Sequence, residues 1–397
     1  MPPHFPVRPA IVTAICFVMA TFAWGTVFYG HSVYMDALVR EHGWSSALIS
    51  SAILMFWIAS LPGTLSVGLL VDRFGPALVV VLGGVCISGG LVSLAWITSP
   101  WQLFFVYTAM GFGYPALAGA AISATLVRWF DRGFGTALGI ALTGASVGGA
   151  LFPLFIIRRS ADQGFGATMT AVAGALLAVV LVAGSTLALL GQPKTETESG
   201  HQPERFSMRS LLRRALFWRI SVAAAIGLGG QVGLLAHQVP IIVAEFDPIT
   251  ASLTVTVVAI ASAIGRLVVG ILSRYFSVSI LAAFSYALHG AGIAVLVIAD
   301  TAPGIFAGCA LAGLFVGAIV MLPPILVREA FGITGFGRTY AMVNVVMYVM
   351  AGLSPWVVGI IKSETGGYAP GLWMLVGMEV LAAFLVFGVS GQARAKT

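Results

Sequence analysis

The chain has 397 residues, of which 59% are hydrophobic and 9% are charged. Soluble globular domains carry roughly 25% charged residues, so this composition excludes an ordinary soluble domain. A net charge of +6 raises the question of a nucleic-acid partner, but Lys and Arg also collect in the cytoplasmic loops of membrane proteins, and topology is the simpler explanation. We therefore expect a lipid bilayer and no nucleic acid around this chain.

Apolar stretches close to the ~20 residues that cross the hydrocarbon core as a helix recur along the whole sequence. They predict an all-α membrane protein with twelve transmembrane helices. The first stretch is longer than the roughly 7 to 15 apolar residues of a cleaved signal peptide and is expected to remain as the first span. The predicted spans are 10–36, 45–71, 77–98, 101–127, 134–157, 167–190, 216–243, 250–272, 278–299, 303–327, 338–361 and 370–390.

One long polar segment, residues 191–214, separates six predicted spans from the next six and is interpreted as a cytoplasmic linker. The expected units are therefore two pseudo-symmetric six-helix bundles, 1–190 and 215–397. Short sequences repeat between the two units. For example, the residues LVR stand at the end of both the fourth and the tenth span, at 126–128 and 326–328. Duplicated bundles are typical of secondary transporters, which bind substrate near the membrane midplane between their repeats.

The basic residues predict the orientation of the chain. Placing both termini in the cytoplasm puts most of the 20 Lys and Arg on the inside. Short loops and short tails favour a bacterial inner membrane, and a monomer is expected. The three cysteines lie in apolar spans without metal-like spacing, so neither a metal nor a cofactor is predicted.

The loop after the second span reads GLLVDRFG, from Gly68 to Gly75. It resembles the G-x-x-x-D-R-x-G loop of the major facilitator superfamily. A carboxylate and a guanidinium at helix ends can pair and must separate when two bundles move. Asp72, Arg73 and Arg128, which lies at the corresponding end of the fourth span, are therefore predicted to be gating residues; the alternative is a solvated turn that only marks topology.

Two further motifs narrow the resemblance. The segment 129–146, WFDRGFGTALGIALTGAS, and the segment 263–270, AIGRLVVG, resemble monocarboxylate transporters and the related oxalate/formate antiporters. That resemblance implies an anion-binding arginine at Arg266. The chain departs from the family at Ser262, where the family has an aspartate, and at His31, where many members have a lysine, so proton coupling stays open.

Arg266 is also the sharpest candidate on physical grounds. An arginine inside a membrane span costs several kcal/mol unless it is paired or hydrated, and its planar fork matches a carboxylate. The alternative is that the side chain reaches the headgroups or backbone carbonyls. Other polar side chains within the spans are candidates for orienting a substrate: His31, Tyr34, Tyr114, Gln231, His237, Asn344 and Tyr348.

His31 and Glu379 are the candidates for proton coupling. A histidine titrates near neutral pH, whereas an intramembrane glutamate either carries a proton or is paired structurally. We expect a secondary transporter of small organic monocarboxylates, by proton symport or anion exchange. The alternative is a proton-coupled exporter of drugs or other amphipathic compounds; no nucleotide loop or nucleophile motif indicates an enzyme.

Overall fold

The computed structural model describes residues 7–126, 129–130, 134–191, 208–273, 275–331 and 336–389. Throughout these ranges the regular elements are helical, which confirms the all-α fold. The helices before the predicted linker are α1 (Val7–Phe22), α2 (Gly30–His42), α3 (Ser46–Phe74), α4 (Pro76–Leu94), α5 (Pro100–Gly113), α6 (Gly119–Leu126), α7 (Phe134–Gln163) and α8 (Phe165–Leu190).

The second half of the chain has α9 (Met208–Leu212), α10 (Ala215–Val243), α11 (Pro248–Leu272), α12 (Val278–Ile298), α13 (Ala302–Phe331), α14 (Phe336–Thr365) and α15 (Ala369–Val386). Local sequence sets several of these ends. Gly43 ends α2 with a φ of 67°, a left-handed conformation that glycine adopts without strain. The Ser277 hydroxyl accepts a hydrogen bond from the Ile280 amide and so caps α12.

Eleven helical segments of the described chain are long and apolar enough to span a bilayer. The predicted number of twelve is therefore not confirmed, and the difference lies at the fourth span. There α5 stops at Gly113, a 3₁₀ turn follows at Tyr114–Ala116, and α6 begins at Gly119. Pro115 lacks a backbone N–H and cannot continue an α-helical ladder, so neither piece alone is long enough.

The first span is continuous but irregular. A π-helical segment, Ala23–Phe28, joins α1 to α2, and together they cover Val7–His42. A π-helical turn inside an α-helix widens the backbone and often occurs at functional sites. This irregularity was not predicted from the sequence.

Contacts divide the chain into two compact units. The first contains Met1–Trp44, Ser51–Thr197 and Asp247–Thr256, and the second contains Ser45–Ser50, Glu198–Phe246 and Val257–Thr397. The start of α3 thus belongs to the second unit and the start of α11 to the first. Residues 192–207 of the predicted linker lie outside the described residues, and the predicted boundaries at 190 and 214 stay a prediction.

Small residues bring the helices of each unit together. In the first unit, α7 approaches the first span at Gly148, where a side chain would collide with the Thr21 carbonyl oxygen. In the second unit, Gly292 of α12 lies against Ala312 of α13 in the same way. Such contacts are how helices associate in lipid, while large apolar side chains such as Leu267 and Phe384 stay exposed on the outside.

Candidate functional site

Arg266 lies on α11 in the second unit, and its side chain is half-buried. A buried stripe runs along this helix through Val258, Ser262, Gly265 and Val269, while Leu267 on the other side is 70% exposed. Arg266 sits at the border of the buried stripe, one turn after Ser262. Arg266 therefore lies at the edge of the buried face of α11 and not in the middle of its exposed face.

Contact with α13 fixes the position of this part of α11. A Cβ built at Gly317 would lie 3.1 Å from the Cβ of Arg266 and 2.6 Å from the Ser262 carbonyl oxygen. The Ser262 hydroxyl is buried and has no hydrogen-bond partner among the described residues. Ser262 and Arg266 thus form a short polar patch where the resembled family has its aspartate and arginine.

A second polar strip lies on α14. Asn344 and Tyr348 are both half-buried and four residues apart, so they share one face of the helix. Asn344 also makes a side-chain hydrogen bond with Tyr340, one turn earlier. Tyr340 was not predicted as a site residue, although its spacing of four residues from Asn344 indicates that the two share a helix face.

Two predicted residues of α10 have different surroundings. Gln231 is buried, and its Oε1 has no hydrogen-bond partner within the described chain. His237 is also buried, but its Nε2 lies 2.9 Å from the Pro355 carbonyl oxygen and 3.2 Å from the Ser50 hydroxyl. These contacts make His237 a link between α10, α14 and the start of α3, whereas Gln231 retains an unused acceptor.

In the first unit, His31 lies in an aromatic cluster, which comprises Trp24, Phe28, His31, Phe56, Trp57, Tyr107 and Tyr114. The His31 ring centroid is 4.8 Å from that of Phe56 and 5.4 Å from that of Tyr107, on which it stacks. Both His31 nitrogens and the Tyr107 hydroxyl are buried without a hydrogen-bond partner among described residues. Buried polar atoms of this kind normally have hydrogen-bond partners. The cluster therefore contains hydrogen-bonding groups that no described residue satisfies.

Tyr114 and Tyr34 differ in what they contact. Tyr114 belongs to the aromatic cluster, with its ring centroid 5.4 Å from that of Phe56. Tyr34 instead donates a hydrogen bond to the Thr26 carbonyl oxygen, within the π-helical segment of the first span. Tyr34 therefore supports the irregular backbone, and its ring packs against that of Phe165, with the two centroids 6.1 Å apart.

Glu379 lies on α15 and is fully buried, as is His289 on α12. Nδ1 of His289 is 2.8 Å from Oε1 of Glu379. This pair could not be predicted from the sequence, because its members are 90 residues apart and on different helices. Glu379 of α15 is therefore enclosed by residues of two other helices of the second unit, α10 and α12.

The described residues contain no group of three or more His, Cys, Asp or Glu side chains that could hold a metal ion. The polar groups of interest are instead distributed over membrane helices in both units. Membrane-spanning helices with internal polar residues are typical of transport proteins.

Comparison with known protein families identifies the family of this chain. The model of the Major Facilitator Superfamily matches residues 13–355. The chain belongs to the Major Facilitator Superfamily. The fold agrees, because 98% of this superfamily member aligns with 99% of a crystallised D-xylose-proton symporter at a TM-score of 0.74 and 15% identity.

Relatives support the narrower resemblance. This superfamily member is 26% identical to monocarboxylate transporter 13 of Bos taurus over 390 residues, covering 90% of this chain and 88% of the relative. It is 24% identical to the oxalate:formate antiporter of Oxalobacter formigenes over 215 residues, which cover 54% of this chain and 51% of the relative. The predicted resemblance is therefore confirmed, and the protein is a multi-pass membrane transporter and not an enzyme.

The superfamily loop is only partly described. Arg73 is exposed, with its guanidinium carbon 5.1 Å from the centre of the Phe74 ring. The Asp72 side chain and all of Arg128 lie outside the described residues. The gating role of these three residues stays a prediction.

Proposed function

We propose that this transporter carries small organic monocarboxylates, with Arg266 as the residue that binds the carboxylate. The observation that carries the proposal is the position of Arg266 at the border of the buried stripe of α11, held against Gly317. A guanidinium presents two parallel N–H donors to a carboxylate.

The aromatic cluster supports a substrate with a short hydrocarbon part. Its seven rings offer a large apolar surface, and His31 and Tyr107 add polar atoms without partners among the described residues. A sugar would need many hydrogen-bonding partners to leave water, and the cluster offers few. The names of the two relatives, a monocarboxylate transporter and an oxalate:formate antiporter, favour the same class of substrate.

The coupling mode has two versions, proton symport and exchange of one anion for another. Both operate by alternating access, in which two related bundles expose one site to each side in turn. We propose that both termini lie in the cytoplasm, because Lys and Arg are concentrated in the loops that this orientation puts inside. The short loops favour a bacterial inner membrane.

The test is uptake of labelled lactate, pyruvate, acetate, formate and oxalate into proteoliposomes, with and without a pH gradient. We expect uptake of at least one monocarboxylate by the wild type. Arg266→Ala is expected to abolish it, and Arg266→Lys to leave a small part, because lysine keeps the charge but loses the planar fork.

Arg40→Ala is the matched control, because Arg40 is 56% exposed at the end of α2 and pairs with Asp36. It should transport as the wild type does. Uptake driven by a pH gradient indicates symport, and uptake that needs an internal anion indicates exchange. Full uptake by a folded Arg266→Ala protein would overturn the assignment of Arg266.

A second candidate is export of amphipathic compounds, which the size of the aromatic cluster favours. Aromatic rings bind apolar and cationic amphipaths through stacking and cation–π contacts. Such a substrate does not need a cation at Arg266. Efflux of a cationic dye that is unchanged in Arg266→Ala, together with no uptake of any acid by the wild type, would favour this function.

A further inference from the structure

The pair formed by His289 and Glu379 is built into the interior of the second unit. Both side chains have 0% exposure, and the Nδ1 to Oε1 distance is 2.8 Å. Glycines on two helices make room for the carboxyl group. A side chain at Gly230 of α10 would collide with Oε1 of Glu379, and a Cβ at Gly290 of α12 would lie 3.0 Å from the Cβ of Glu379.

Two of the four side-chain nitrogen and oxygen atoms of this pair have no hydrogen-bond partner among the described residues. Oε2 of Glu379 and Nε2 of His289 are buried and have no hydrogen-bond partner among the residues that the structure describes. The hydroxyl of Tyr286, one turn before His289, is in the same situation. A pair that served packing alone would be expected to satisfy these atoms, whereas a group that exchanges a proton needs a free position for it.

The charged and titratable residues of the neighbouring helix α10 do not contact this pair. The residue of α10 next to it is Gly230, and the charged or titratable residues of that helix, Arg219 and His237, are engaged elsewhere. Arg219 donates to the carbonyl oxygens of Leu385 and Phe387, and His237 contacts Pro355 and Ser50.

The other packed helices contribute no described charge at this level. On α14, Met350 faces Gly229 beside Met378, and Tyr348 is the nearest titratable residue along that helix. The charged residues Lys362 and Glu364 lie at its far end. On α13, the buried Cys309 lies one turn before the Ala312 contact with α12 and accepts a hydrogen bond from Gln238. Glu329 lies near the end of the same helix.

The number of bound protons therefore sets the local charge. When one proton is added to a neutral imidazole and a carboxylate, the pair has no net charge, as imidazolium with carboxylate or as imidazole with carboxylic acid. With none it carries one negative charge, and with two it carries one positive charge. A net charge in a buried membrane site is unfavourable, so a change in protonation will favour a different conformation of the surrounding helices.

We propose that His289 and Glu379 form the proton-binding site of this transporter, taking up one proton from one side of the membrane and releasing it on the other. The proton is held as the O–H of Glu379 or as an N–H of His289. α10 connects this site to Gln231, a candidate substrate-binding residue that directly follows Gly230 and whose buried Oε1 has no hydrogen-bond partner among the described residues. The coupling of this proton to transport rests on the proposed transport of monocarboxylates. Of the two coupling modes, it favours proton symport over anion exchange.

The first test does not depend on transport. Infrared difference spectra of the purified protein, recorded between acidic and alkaline pH, should contain the C=O band of a buried carboxylic acid, at a higher frequency than the bands of solvated carboxyl groups, and this band should be lost in Glu379→Gln. Glu245→Gln, at an exposed position after α10, is the matched control and should leave the band unchanged. His289→Asn keeps the carboxyl group and should move the pH midpoint of the band. A band that persists unchanged in Glu379→Gln overturns the proposal.

The second test separates coupling from binding. In proteoliposomes, Glu379→Gln should lose pH-driven accumulation of substrate at least tenfold and keep exchange of labelled for unlabelled substrate. Accumulation equal to that of the wild type overturns the proton site. If the wild type moves no monocarboxylate, the proposed function fails, and the infrared result alone decides whether Glu379 titrates. If Glu379→Gln does not fold, the band shift in His289→Asn decides instead, and no shift overturns the proposal.

Discussion

Gly317 of α13 lies directly against Arg266 of α11. The space that a Cβ of Gly317 would occupy is 3.1 Å from the Cβ of Arg266 and 2.6 Å from the carbonyl oxygen of Ser262. The absence of a side chain at one residue thus sets how closely the helix that carries the guanidinium packs on its neighbour. The position of the proposed anion site depends on this contact as much as on Arg266 itself.

Gly317→Ala should therefore impair transport although it adds only a methyl group. The methyl group would have to push the backbone of α11 outward, because the atom it meets is a carbonyl oxygen and not the end of a flexible side chain. A displacement of about 1 Å at a reacting or binding group can reduce a rate by roughly 100-fold. We expect a loss of between about tenfold and 100-fold in uptake, measured in proteoliposomes.

The control for this variant is Gly270→Ala. Gly270 is on α11, four residues after Arg266, and a Cβ there would meet nothing within 4 Å. It should transport normally and unfold at the same or a slightly higher temperature, since alanine has the higher helix propensity. Equal uptake by Gly317→Ala and Gly270→Ala would show that this contact does not position Arg266.

His31→Phe tests whether the aromatic cluster binds substrate. The described surroundings of His31 are rings, and no hydrogen bond of its nitrogens to a described residue is lost. Replacing a buried, unsatisfied polar group by an apolar one of similar shape is nearly neutral or stabilising. The melting temperature should stay the same or rise, while the loss of one hydrogen bond to substrate weakens binding by roughly three- to tenfold.

His42→Phe is the matched control, since His42 lies at the other end of α2 and stacks on Trp44. Substrate binding should be unaffected there, as measured by protection against thermal unfolding. A His31→Phe protein with lower stability and unchanged affinity would assign His31 to the structure of the first unit and remove it from the substrate site.

The sequence predicts the helices well, because hydrophobic length is a strong signal in membrane proteins. The predicted range 250–272 and the observed α11, Pro248–Leu272, differ by two residues. The break between α5 and α6 was not predicted, although Pro115 and the glycines around it are present in the sequence. Average hydropathy does not register a local loss of backbone hydrogen bonds.

The candidate site was predicted less completely. Arg266 stands out because it is a single charge in an apolar stretch, which needs no knowledge of neighbouring helices. The partner of Glu379 could not be identified in this way, because His289 approaches it only through the packing of α12 against α15. Likewise, nothing in the sequence distinguishes Tyr34, which bonds the Thr26 carbonyl, from Tyr114, which joins the aromatic cluster.

Asp247, at the start of α11, should make the stability of the folded protein depend on pH in the acidic range. The hydroxyl of Thr250 and the backbone N–H groups of Thr250 and Ile249 donate to its carboxylate, and these hydrogen bonds hold the pKa of Asp247 below its ordinary value. A depressed pKa in the folded state adds stability above the unfolded value of about 3.9. That stability is lost as the pH falls through the folded pKa.

Asp247→Ala should therefore lower the melting temperature at pH 7 because α11 loses its N-terminal cap. The difference from wild type should shrink below pH 4, as the wild-type carboxylate becomes protonated. Asp247→Asn is the control, since asparagine also caps a helix but does not titrate there. A difference between wild type and Asp247→Ala that is the same at pH 3 and pH 7 would contradict this explanation.

Gly148 of α7 lies at a close contact with α1 in the first unit, and the packing there should not tolerate a side chain. A side chain there would collide with the Thr21 carbonyl oxygen of α1 and would also approach the Gly25 amide nitrogen to 2.9 Å. Because both atoms belong to the backbone, the helices must separate to accommodate even alanine. Overpacking of this kind typically costs about 1 to 3 kcal/mol, so Gly148→Ala should melt several degrees below the wild type.

Gly139→Ala, on the same helix, provides the comparison. Gly139 is exposed and its Cβ would meet nothing within 4 Å, so this variant should melt at or slightly above the wild-type temperature. Gly25 lies in the π-helical segment, so separation of α1 from α7 should also disturb Tyr34 and its bond to Thr26. Thermal unfolding in detergent, followed by tryptophan fluorescence, measures the stability of both variants. Equal stability of the two variants would show that the α1 to α7 contact is more adaptable than its geometry indicates.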